Sequence, residues 1–182
     1  MACWRGRVGG GVLALCLVGL FGCGYTSRSA LAPHLKTVFV HPFSNRIEFT
    51  ELTTTEQRFQ SYRHGLEVTL GNAVVTQYRF NGLLQPAAES SADTRLEGDL
   101  VGFRRDALRY SSSTEVEEWR LSLVATLRFY DQRTNALLWR DRLVGDTTYF
   151  ARGSKAESEE SALERAVEDL ARRIVERTVE HW

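Results

Sequence analysis

"WRLSLVATLRFYDQRTNALLWRDRLVGDTTYF", Trp119 to Phe150, is the stretch whose reading decides the fold. In its first half Trp119, Leu121, Leu123, Ala125, Leu127 and Phe129 alternate with Arg120, Ser122, Val124, Thr126, Arg128 and Tyr130. Successive side chains of a strand point to opposite faces, so one face here is wholly apolar and the other mixed. A sheet with one buried and one wetter face produces that pattern. Asp131 to Asn135 forms a five-residue hairpin connection, and "ALLWRDRLVGDTTYF" is the return strand. The apolar face must be covered by a second layer, which the rest of the chain has to supply.

Upstream, "TRLEGDLVGFRRDALRY" (Thr94 to Tyr110) reads as a strand with weak alternation. Gly98 and Gly102 inside it predict a bulge or a close backbone approach. "LKTVFVHPF" (Leu35 to Phe43) is β-branched and aromatic and closes at Pro42, which suits a first strand. Between these strands, Phe59, Tyr62, Leu66, Thr69, Leu70, Ala73, Val74 and Gln77 recur at helical spacing. They predict an amphipathic helix from about Glu56 to Arg79, opened by a Thr54/Gln57 capping box and closed by Asn81-Gly82. Gly65 and Gly71 fall inside that helix, at ~1 kcal/mol each relative to alanine.

Downstream, Ser154 and Glu157 form a second capping box. Leu163, Ala166, Val167, Leu170, Ile174, Val175 and Thr178 then make one apolar stripe, with Glu168–Arg172 and Asp169–Arg173 as acid-before-base pairs on the exposed side. The order β-α-β-β-β-α predicts an α+β two-layer sandwich: one four-stranded mixed/antiparallel sheet packed by two helices. The first strand is expected to run parallel to a neighbour and the last three to form an antiparallel meander.

The N-terminus reads as an export signal. Arg5 and Arg7 precede a ten-residue apolar core, Val12 to Phe21, about half of the ~20 residues a membrane-spanning helix requires. Leu20-Phe21-Gly22-Cys23 then matches a bacterial lipoprotein box, with a small residue before the cut and a thiol to take the lipid. Residues 1–22 are therefore expected to be a removed signal peptide, residues 23–34 a lipidated tether, and residues 35–182 a single domain. Cys3 and Cys16 leave with the signal, so Cys23 is the one cysteine of the mature chain and no internal disulfide can form. Gly24 after the cysteine favours the outer membrane under the sorting rule for such lipoproteins. Loss of Arg5 and Arg7 leaves 21 bases against 23 acids, a formal charge of −2. That balance argues against a nucleic-acid partner.

Catalytic constellations are absent from the sequence. His34, His41, His64 and His181 show no metal-ligand spacing, and no nucleophile elbow, phosphate loop or zinc-binding helix motif occurs. Neither an enzyme, a metal site nor a cofactor is expected. Two features stand above background. Arg104, Arg105 and Arg109 lie near the tip joining the second and third strands, where forked guanidinium donors could meet phosphate or carboxylate groups. Among the aromatic residues Trp119, Phe129, Tyr130, Trp139, Tyr149 and Phe150, Tyr130 lies on the less apolar strand face and is the candidate for a partner interface.

The order of Cys23-Gly24-Tyr25, "KTVFVHPFSNRIEF", "LEGDLVGF", the Trp119–Phe150 hairpin and "ESEESALERAVEDLARRIVE" resembles the lipopolysaccharide-assembly lipoprotein family (LptE-like). The resemblance spans essentially the whole mature chain. It implies a palmitate-bearing lipoprotein on the periplasmic side of the outer membrane, where it plugs and helps assemble an LptD-like β-barrel translocon. It also implies contact with lipopolysaccharide, for which Arg104, Arg105 and Arg109 are suitably placed. "VFVHPFSN" resembles in addition the opening strand of other envelope lipoproteins. Those engage a different protein partner, as peptidoglycan-synthase activators or curli-secretion-type subunits do.

Overall fold

The computed structural model describes residues 32–47, 65–112 and 115–180. The signal peptide, Cys23, most of the tether, the Thr54/Gln57 capping box and the Glu56–His64 part of the first helix lie outside the described residues. The long hairpin is where the alternation placed it. Strands β4 (Thr94–Tyr110), β5 (Val116–Asp131) and β6 (Leu137–Phe150) form an antiparallel meander. Strand β1 (Thr37–Val40) runs parallel to β4, with Val38 opposite Thr94. Two two-residue strands, β2 (Ser44–Asn45) beside β4 and β3 (Gln85–Pro86) beside β1, extend the expected four strands to six. Elements that short carry no periodicity to detect. The main path is β3-β1-β4-β5-β6.

Helices α1 (Leu66–Asn81) and α2 (Glu159–Glu180) pack on the apolar face, and the expected α+β two-layer architecture stands. Leu121, Leu123, Ala125, Leu127 and Phe129 are fully buried. Leu70 and Val74 from α1, and Ala166, Leu170 and Ile174 from α2, close over them. Both predicted glycine irregularities in β4 occur, by different means. The ladder slips between Leu100 and Gly102. At Gly98 an added Cβ would stand 2.1 Å from the Phe43 ring, so the missing side chain is what lets Phe43 lie on the sheet.

Three local expectations need correction. Gly65 lies at the N-cap of α1 with φ 86°, a left-handed conformation suited to glycine, rather than in the helix interior. Helix α2 is capped by Ser158, whose Oγ accepts from Ser161 N–H at 3.1 Å, and not by Ser154. The reason is that Glu157 N–H still bonds Phe150 O at 3.0 Å, which keeps that residue out of the helix. Finally, Arg172 pairs with Asp169 and Glu176 rather than with Glu168, whereas the Asp169–Arg173 pair forms at 2.7 Å.

Tyr78 continues the Leu66, Leu70, Val74 row of α1 and is wholly buried. Its hydroxyl donates to Thr178 Oγ1 at 2.9 Å, and that oxygen donates in turn to Ile174 O at 2.8 Å. Burial raises the phenol far above its ordinary range, which the Thr178 bond only partly opposes. Tyr78→Phe should lower stability by about 1 kcal/mol, the usual worth of one buried neutral hydrogen bond, read as the shift in urea midpoint.

Helix α2 is also fixed to β6 by charge. Arg177 meets Asp141 at 2.9 Å, Arg173 meets Asp146 at 3.2 Å, and Asp169 accepts the Asp146 N–H at 3.1 Å. The Arg177 bond holds Asp141 below the ordinary carboxylate range, and the Arg165 bond does the same for Glu157. Burial pushes Asp169 up, but bonds from Asp146 N–H, Arg172 and Arg173 outweigh it. Carboxyls depressed in the fold stabilise it above their unfolded values and lose that contribution as pH falls through the folded ones. The urea midpoint should therefore be flat near neutrality and fall from about pH 4 downward, and Asp169→Asn should shallow the fall.

Candidate ligand and partner surface

Cross-strand neighbours share a face, so the register sorts every side chain of the sheet. Leu121, Leu123 and Leu127 face the helices, and the rows between them face outward. The Arg104–Ser122–Asp146, Asp106–Arg120–Thr148 and Asp99–Thr126–Arg142 rows all lie on the open face. With Glu97, Arg128 and Arg140 they make a charged outer surface above an underside that is apolar along β5, with Arg105 and Asp141 beside it.

Part of that surface is already paired. Arg128 meets Glu97 at 3.3 Å and Asp99 at 3.0 Å, and Arg46 meets Asp99 at 3.2 Å. Burial alone would raise Asp99; bonds from Ser44 and Arg128, with the Arg46 charge, bring it below its ordinary value. Burial likewise opposes the charge on Arg128, and its two carboxylates prevail. Arg95 bonds Glu97 at 2.9 Å, Gln132 at 3.0 Å and Asn135 at 3.1 Å while lying 4.8 Å over the Tyr130 ring. Tyr130 is thus on the open face, half-buried under an arginine.

The three arginines of the β4 tip are divided between the two faces. Arg105 points to the helix side, pairs with Glu159 at 2.6 Å and lies 4.4 Å over the Trp119 ring. It joins the start of α2 to the sheet. Arg109 is at the far end of the strand, beside Glu118 at 3.3 Å and over Phe150 at 5.6 Å. Arg104 lies on the open face. Arg105→Ala should cost about 1 kcal/mol, through one partly exposed ion pair and one ring contact, read in the thermal midpoint of the purified domain.

Arg120, Arg140 and Arg142 join Arg104 on the open face. Among the described residues, these four exposed guanidinium groups have no acceptor. Arg140 sits directly opposite Arg128, whose own charge Glu97 and Asp99 already meet. Sequence reasoning passed over this group because its members are spread over three strands. The signal was present in the mixed half of each alternation: Arg120 with Arg128, and Arg140 with Arg142 two residues on.

Nothing in the described residues assembles a metal centre: no group of three histidine, cysteine or acidic side chains comes together. His41 Nδ1 lies 3.1 Å from Pro42 O, and His34 lies 3.6 Å from Asp131. No helix among the described residues is long and apolar enough to cross a membrane.

The fold is thus a helix-backed sheet whose open face presents Arg104, Arg120, Arg140 and Arg142. The family model described as LptE, lipopolysaccharide-assembly, matches residues 35–178, and the chain belongs to that family. Its members are non-enzymatic, envelope-associated lipoproteins that work with the lipopolysaccharide transport machinery. A search among curated proteins finds no match. Among solved structures, a hypothetical protein from Chlamydia trachomatis is similar at TM-score 0.52 and 13% identity, covering 79% of this chain and 95% of that one. A Xanthomonas campestris protein of the DUF330 family gives TM-score 0.52 and 14% identity, covering 84% and 91%. The rare lipoprotein B of Shewanella oneidensis gives 0.41 and 13%, covering 76% and 89%. At these identities the first two establish a shared fold.

Proposed function

We propose that this protein is lipidated at Cys23, held by palmitate and diacylglycerol chains at the periplasmic side of the outer membrane, and plugs an LptD-like β-barrel there. It helps assemble that barrel and aids insertion of lipopolysaccharide at the cell surface. The observation that carries the reading is the family match over residues 35–178, and the arginine-rich open face supports it. Arg104, Arg120, Arg140 and Arg142 present forked donors that suit the phosphates of an acidic glycolipid or carboxylates of the barrel wall. Arg109 can contribute at the strand end, while Arg105 faces the helices and serves the fold.

The test is controlled depletion of the protein, followed by separation of inner and outer membranes. Newly made lipopolysaccharide should accumulate inside the cell and fall at the surface. Normal surface lipopolysaccharide after full depletion would contradict the reading. Within that system, changing Arg104, Arg120, Arg140 and Arg142 together to glutamine should weaken lipopolysaccharide crosslinking about tenfold or more. Their exposure means the urea midpoint should hardly move.

A further inference from the structure

Three exposed apolar side chains gather at one end of the sandwich. Phe80 is 86% exposed, more than any other large apolar side chain among the described residues, and Leu83 and Leu137 are 49% and 51% exposed. Phe80 and Leu83 lie where α1 closes, and Gln85 N–H then bonds Lys36 O at 2.9 Å, beside the start of β1. Lys36 N–H and Thr37 N–H both bond the Asp93 carboxylate at 3.0 Å. Gln132 N–H bonds Asp93 O at 2.8 Å, which adds the β5–β6 turn and Leu137 beyond it. With strands about 4.8 Å apart, the path from β3 to β6 makes this end about 20 Å wide.

The charges of this end are sorted as well. Lys36, Arg79 and Arg133 are exposed, and their side chains have no acceptor among the described residues. The carboxylates of the strand ends are engaged by the fold. Asp93 takes its bonds from Lys36 and Thr37, and Asp131 takes the Thr134 and Arg133 N–H groups, both at 2.9 Å. The N-terminal chain joins the domain at the same end: Leu35 is buried, its N–H bonds Ala32 O at 2.9 Å, and Ala32 packs on the core. Cys23 precedes Ala32 by nine residues, so the extended tether reaches at most about 30 Å. A lipid on Cys23 therefore keeps this end near the bilayer, and not the β4–β5 tip where Tyr110 meets Val116.

Apolar side chains with cations beside them suit the boundary between acidic headgroups and acyl chains. We propose that Phe80, Leu83 and Leu137, with Lys36, Arg79 and Arg133, form a membrane-contact surface that seats the anchored end of the domain on an acidic phospholipid leaflet. Three apolar side chains bury too little to hold the domain alone; they orient a domain that acyl chains hold. The far end is left to enter a barrel. This inference rests on the reading that Cys23 carries lipid.

The experiment uses the full chain, exported and lipidated in its own cells, purified in detergent and reconstituted into vesicles of phosphatidylethanolamine and phosphatidylglycerol. A photo-crosslinking phenylalanine analogue replaces Phe80 in one sample and Tyr110, 58% exposed at the far tip, in another. Irradiation should join the Phe80 probe to phospholipid at about ten times the yield of the Tyr110 probe. Changing Lys36, Arg79 and Arg133 together to glutamine, or replacing phosphatidylglycerol with phosphatidylcholine, should lower the Phe80 yield about fivefold. These side chains are exposed, so the urea midpoint should hardly move. Equal yields from the two probes, or Phe80 adducts only to a second copy of the chain, would overturn the inference. If the purified chain carries palmitate and Phe80 captures no lipid, the contact surface alone is wrong. If no palmitate enters at Cys23, the anchor reading fails and this inference falls with it.

Discussion

Replacing Gly145 with alanine should lower stability by about 3 kcal/mol, at the upper end of overpacking costs. In β6 an added Cβ would stand 2.4 Å from Leu170 Cβ, 2.6 Å from Leu170 N and 2.7 Å from Ala166 O. Two of those three atoms are helix backbone, which cannot swing aside as a side-chain end can. The helix would have to lift from the sheet along the row that buries Leu170 and Ala166. For a domain of this size the loss corresponds to roughly 10 °C in thermal midpoint. Gly102→Ala is the comparison: there the nearest atoms are Val124 side-chain carbons at 3.3 Å, and the midpoint should shift far less.

Cys23→Ala should produce the largest functional effect. In the proposed mature chain, which begins at Cys23, there is no other cysteine to accept a lipid. Acyl chains bind a bilayer by about 0.8 kcal/mol per buried methylene, and lasting attachment takes more than one chain. Without them the proposed barrel partner is what would keep the domain at the membrane. Palmitate labelling should vanish in the variant, and in cells depleted of the barrel partner the protein should leave the outer-membrane fraction. Labelling that persists in Cys23→Ala would overturn the anchor assignment.

The sheet was legible because its apolar face is so complete: Leu121 to Phe129 left one possible strand register. Helix α2 was legible from its stripe, all of which is buried. What escaped did so for identifiable reasons. Strands β2 and β3 are two residues long and exist because their backbones meet β4 and β1, a tertiary fact with no local trace. The α2 cap moved because the β6 ladder extends to Glu157. The site was less visible than the fold. Arg104, Arg105 and Arg109 are close in sequence, but strand alternation and the register shift between Ala107 and Arg109 separate them. Arg104, Arg120, Arg140 and Arg142 come from three different strands and share one face.

The most direct measurement of the central claim is affinity purification of the tagged, full-length lipoprotein from detergent-solubilised envelope. A large outer-membrane β-barrel protein should come with it, at near-equal amounts and with lipopolysaccharide in the same fraction. Recovery of a peptidoglycan synthase without any barrel protein would contradict the account and favour the other class of envelope lipoprotein.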